Sequence, residues 1–140
     1  MSAAPRPLRR RERDTLEVLL AVDFPGVEAL RAQLPGTVVV DRCRCGCPSV
    51  SLQPPVDAPL AAVADTVPVE AVGMGAYGQA EAMVLLFVRD GRLSYLECAP
   101  LEERTPRTFP PVHRIVDAGP ARLSGEDEED GEDDESGERG

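Results

Sequence analysis

The feature that most constrains this chain lies past its middle. The apolar run Met83-Val84-Leu85-Leu86-Phe87-Val88 leads into Asp90-Gly91 and out again through Leu93, Tyr95 and Leu96. Asp-Gly suits a two-residue turn, because both positions tolerate positive φ. Residues 82–97 are therefore predicted to form a β-hairpin. The first arm is apolar on both parities, as a central strand covered on both faces would be.

Upstream, the period changes from two to that of a helix. Leu16, Leu19 and Leu20 recur at helical spacing, with Arg13 and Glu17 free to face water, which predicts an amphipathic helix over residues 8–22. Phe24-Pro25-Gly26 breaks it. Pro25 suits the first turn of a second helix, whose apolar face carries Val27, Leu30 and Leu34 and which Pro35-Gly36 ends. Residues 37–40 then read as a short β-branched strand. Cys43, Cys45 and Cys47 share one parity, whereas Val50 and Leu52 share the other, so a bend or bulge is expected at Gly46-Cys47-Pro48. Residues 53–66 read as a loop, and Val67, Val69 and Ala71 alternate as a further strand. Residues 99–111 carry Pro100, Pro106, Pro110 and Pro111, too many for a ladder, and residues 112–116 suit a last edge strand.

Helices followed by strands imply an α+β fold: an N-terminal helical hairpin packed on a mostly antiparallel sheet of about four or five strands. Aromatics make up 4% and Trp is absent, so Val, Leu and Ala must fill the core. The division expected is a disordered basic N-terminus over 1–7, one α+β domain over 8–118 and a disordered acidic tail over 119–140. The net charge of −10 belongs mainly to that tail, which carries ten acids between Glu126 and Glu138. Arg6, Arg9, Arg10, Arg11 and Arg13 give the start the opposite sign. No run approaches the roughly 20 apolar residues that cross a bilayer, and residues 16–22 do not make a leader core. A cytoplasmic protein with no membrane partner is expected, and its four cysteines should then be thiols or metal ligands rather than disulfides.

Three segments together resemble a group of small, uncharacterised actinobacterial proteins: Asp23-Phe24-Pro25-Gly26-Val27-Glu28-Ala29-Leu30-Arg31, Cys43-Arg44-Cys45-Gly46-Cys47-Pro48-Ser49-Val50, and Asp90-Gly91-Arg92-Leu93-Ser94-Tyr95-Leu96-Glu97. The resemblance spans roughly residues 14–117. It implies an actinobacterial source, and neither activity, cofactor nor functional residue comes with it. The absence of Lys and Asn, and the single Ile at position 115, fit a GC-rich genome.

Among candidate sites, Cys43-x-Cys45-x-Cys47 is the least ordinary. Free cysteine is among the most buried residue types, so interior packing is the first reading. A zinc site is the alternative: three thiolates from the triplet, with Cys98 or His113 as a fourth ligand. Arg42 and Arg44 alternate with the cysteines and should face the opposite side, too far to lower a thiol's pKa. A thiol-dependent enzyme would need Cys98 and His113, the sole histidine, in one pocket. Gly73-Met74-Gly75-Ala76-Tyr77-Gly78 has the spacing of a dinucleotide loop, but a β-run follows where the mechanism needs a helix, so a hairpin connection is expected. The Arg-rich start lacks interleaved aromatics, which argues against nucleic acid. With no catalytic constellation in view, the expectation is a non-enzymatic interaction or regulatory protein, immunity-like in kind, without cofactor and with a protein as partner. A thiolate zinc domain stands second and the thiol enzyme third.

Overall fold

The computed structural model describes residues 4–121. The chain opens with a two-residue strand, β1 (Arg6–Pro7), then helices α1 (Arg10–Leu20) and α2 (Val27–Gln33). Six more strands follow: β2 (Val38–Arg42), β3 (Val50–Gln53), β4 (Val69–Met74), β5 (Ala80–Arg89), β6 (Arg92–Pro100) and β7 (Ile115–Pro120). Among the described residues they form one seven-stranded antiparallel sheet in the order β1-β2-β3-β6-β5-β4-β7. No described helix is long and apolar enough to cross a membrane.

The α+β class and the antiparallel sheet agree with the sequence, but the sheet is larger than four or five strands. Two causes account for this. The cysteine-bearing ribbon is a hairpin, not one bent strand, so it counts twice. At the N-terminus, Arg6 and Pro7 pair with Val39 and Val38, and a two-residue strand has no period to detect. Arg6 and Pro7 are thereby part of the fold, where a disordered segment was expected. At the other end, β7 extends to Pro120, beyond the predicted boundary, and the acidic run from Glu126 lies outside the described residues.

The central hairpin forms as predicted. Asp90 and Gly91 both take positive φ, 53° and 76°, which matches the twist of the flanking strands. Its first arm is covered unequally on its two faces, however. Val84, Leu86 and Val88 are buried with the helices; on the other side Leu85 is also buried, whereas Met83 and Phe87 are half-buried. There Phe87 meets Tyr95 edge to face, with ring centroids 5.8 Å apart. The helices thus cover one face only. Gly75 and Gly78 sit in the β4–β5 connection, where the Gly78 N–H donates to the Gly75 carbonyl at 3.1 Å. The glycine motif is a hairpin turn.

The core gathers Leu16, Leu19 and Leu20 of α1 and Leu30 of α2 over Val69, Val84, Leu86 and Leu96 of the sheet. Gln33, at the end of α2, is fully buried and ties three elements together. Its Nε2 donates to the carbonyls of Pro59 (2.7 Å) and Gly91 (2.8 Å), and its Oε1 accepts from the Leu93 N–H at 2.9 Å. Gly26 (φ 92°) starts α2 and Gly36 (φ 88°) closes the turn after it. Pro25 lies just outside the helix rather than in its first turn.

Two anchors fix the N-terminal segment. Glu12, only 5% exposed, accepts a two-pronged bond from the Arg6 guanidinium at 3.0 and 2.9 Å and another from the Arg9 N–H at 2.7 Å. The latter is the acid half of a capping box. Arg11 Nη1 donates to Thr108 Oγ1 and to the Phe109 carbonyl, each at 3.0 Å. That pins the proline-rich segment beside α1 and seals Phe109 into the core. These contacts bring the N-terminus, residues 107–109 and the tip of the β2–β3 hairpin to one place.

Candidate functional site

Cys43, Cys45 and Cys47 lie in the loop that joins β2 to β3. The hairpin closes through the Cys43 N–H, which donates to the Ser49 carbonyl at 3.0 Å. Arg44 and Cys45 occupy a turn, and Gly46 takes φ 98° with open space around it. This curl, rather than an extended backbone, gathers the three thiols. The Cys43 and Cys45 sulfurs are 2.8 Å apart, one donating to the other, and the Cys47 N–H donates to Cys45 Sγ at 3.4 Å. All three sulfurs fall within 4.8 Å of one another.

The packing reading of the triplet is overturned. Cys45 is exposed, and Cys43 and Cys47 are half-buried. Three soft side chains at a surface turn bury too little area to contribute much as core. Arg42 and Arg44 also depart from expectation: they line the same concavity as Cys43 and Cys47. Alternation fails because it holds only for extended backbone, and the chain curls from Cys43 onward.

The thiols differ in acidity. For Cys47, partial burial works against the thiolate. Hydrogen bonds from the Ser49 hydroxyl and N–H, and from the neighbouring Cys45 and Cys43, outweigh it and bring the pKa down to about 7. Bonding to Cys43 and Cys47 pushes Cys45 up to about 11. Of these two, Cys47 is the more acidic thiol. Ser49 is 1% exposed and also accepts from the Cys98 N–H at 2.9 Å, so it is held rigidly beneath the loop. Its role was hidden in the sequence; the Cys-Pro-Ser adjacency was the only trace.

The suggested fourth ligands are elsewhere. Cys98 is 1% exposed within the hydrophobic core, where burial pushes its thiol up to about 12. His113 is exposed on the 3-10 turn Val112–Arg114. Cys98 pairs with Val84 on β5, Val84 with Ala71 on β4, and β7 lies beyond β4. Three strand spacings of about 4.8 Å therefore put β7 roughly 14 Å from Cys98. The structure does not bring the cysteine–histidine pair together, and neither residue joins the sulfur cluster.

Around the cluster opens a cavity of about 480 Å³. Arg6, Arg9, Arg10 and Arg11 line it from the N-terminal side, Arg42 and Arg44 from the cysteine hairpin, and Arg107 from the segment before β7. Val50, Pro48 and Phe109 contribute apolar wall, and Glu12 is the sole carboxylate there among the described residues. The basic N-terminal run was visible in the sequence; its convergence with Arg42, Arg44 and Arg107 was not.

No protein family, curated protein or solved structure was found to match this chain.

Proposed function

We propose that this is a non-enzymatic binding protein that holds a thiophilic metal ion, zinc in the first instance, on Cys43, Cys45 and Cys47. The observation that carries this reading is the gathering of three sulfurs within 4.8 Å at an accessible turn. Thiolates are the donors that zinc and copper(I) prefer. Sulfurs bound to one tetrahedral zinc at about 2.3 Å stand roughly 3.8 Å apart, so small side-chain rotations suffice. Three protein ligands leave a fourth position open to solvent or to a partner's donor atom. Ser49 supports the set by lowering the pKa of Cys47, which favours the thiolate a metal needs.

Cobalt(II) titration of the reduced, metal-free chain tests this. One equivalent should produce intense thiolate-to-cobalt charge-transfer absorption that zinc displaces. Joint substitution of Cys43, Cys45 and Cys47 by Ser should abolish it, while Cys98→Ser should keep it. Protein isolated without added metal should carry close to one equivalent by elemental analysis. Less than about 0.2 equivalents, with no cobalt absorption, would sink the reading, given how tightly such sites bind.

A further inference from the structure

Among the described residues, the cavity beside the sulfur cluster presents seven guanidiniums against the carboxylate of Glu12. That carboxylate is already engaged by Arg6 at 2.9 Å. Arg10 approaches Asp14 only at 3.8 Å, with its side chain 93% exposed, and Arg11 is bonded to neutral oxygens. Arg42 and Arg107 are exposed, and neither guanidinium forms a salt bridge among the described residues; the Asp41 carboxylate accepts only from the Arg42 backbone N–H, at 2.9 Å. So dense a set of like charges repels itself, and a concave wall concentrates the field. An anion entering between them would offset that repulsion.

We infer that this cavity is a binding site for a small polyanion, a molecule carrying several phosphoryl or carboxylate groups. Arginine matches both groups with a planar fork of two parallel donors. A volume of about 480 Å³ falls in the range of small-molecule sites, roughly 300–1,000 Å³. The apolar wall of Val50, Pro48 and Phe109 would accept a short nonpolar portion. The anion is held by the N-terminal arginines on one side and by Arg42 and Arg107 on the other. The arginines would hold the anion without the sulfurs, so anion binding does not depend on a bound metal.

Calorimetric titration of the reduced, metal-free full chain with tripolyphosphate and with citrate, at low salt, tests the site. One-to-one saturation by at least one of them is expected, weakening more than tenfold on raising salt to physiological strength or above, as screening requires. The tighter of the two assigns the phosphoryl or the carboxylate class. Arg42→Glu with Arg107→Glu, both exposed, should cost at least tenfold in affinity with an unchanged circular dichroism spectrum. Arg89→Glu, exposed but away from the cavity, should change it less than twofold. The chain with Cys43, Cys45 and Cys47 replaced by Ser should still bind. Absence of saturation by either polyanion into the millimolar range overturns the site, as does an Arg89→Glu effect equal to that of the double reversal.

Discussion

Glu12 shows how one side chain can decide whether a terminus belongs to a fold. Burial alone would raise its carboxyl, but the Arg6 fork, the Arg9 N–H and the charge of both arginines hold it below its ordinary value. A lowered folded-state pKa means the ionised form is the one the fold prefers. The stabilisation is therefore complete above the ordinary carboxylate pKa of 4.5 and is lost as pH falls through the folded value. Glu12→Gln should cost about 1–3 kcal/mol at pH 7, since it leaves Arg6 half-buried without its partner. The gap between wild type and variant should close in acid. Urea unfolding at pH 7 and at pH 3 measures both; an equal gap at the two values would refute the assignment.

At the scale of elements, contacts at the Asp90-Gly91 turn couple the central hairpin to α2 and to the 54–68 connection. Gln33 satisfies the carbonyls of Pro59 and Gly91 and the Leu93 N–H from inside the core. Gln33→Leu would leave buried polar groups unpaired and should cost about 2–4 kcal/mol, read from the urea midpoint. Gly91 answers from the turn itself: it holds φ 76°, and a Cβ there would meet the Ala61 carbonyl oxygen at 2.9 Å. Gly91→Ala should therefore lose about 1–3 kcal/mol, through backbone strain and displacement of the 54–68 connection. An unchanged midpoint would show that the connection yields freely. The Asp90-Gly91 turn was legible in advance because its chemistry is local. Gln33 was not, because a lone glutamine at a helix end reads as solvated until the turn that it caps is placed above it.

For the molecule as a whole, the proposed metal should act on folding as any ligand of the native state does. At a free concentration a hundredfold above its Kd, the ion adds about 2.7 kcal/mol, a rise on the order of 10 °C in Tm for a domain of this size. A chelator should reverse it, and the variant with Cys43, Cys45 and Cys47 replaced by Ser should show no rise. A wild-type Tm insensitive to both zinc and chelator would count against the metal centre. Cys98 offers an internal control: buried, with its thiol pushed up to about 12, it should resist alkylation until the chain unfolds, while the surface thiols react.

Features set by local chemistry were already legible along the chain. Both helices, the hairpin at Asp90-Gly91, the strand character of β4 to β6 and the glycine connection before β5 are among them, because each depends on side-chain period or on turn residues a few positions apart. Tertiary structure alone decided the rest. A two-residue strand at Arg6 exists only because Val38 and Val39 stand ready to pair with it. Three cysteines spaced for a buried strand became a surface cluster because the Cys43 N–H closes onto the Ser49 carbonyl and curls the chain between them. Arginines from positions 6 to 107 share one cavity because residues distant along the chain meet where β1, α1 and the β2–β3 hairpin converge. Periodicity constrains which face a side chain takes along one element; it carries no information about which elements will meet.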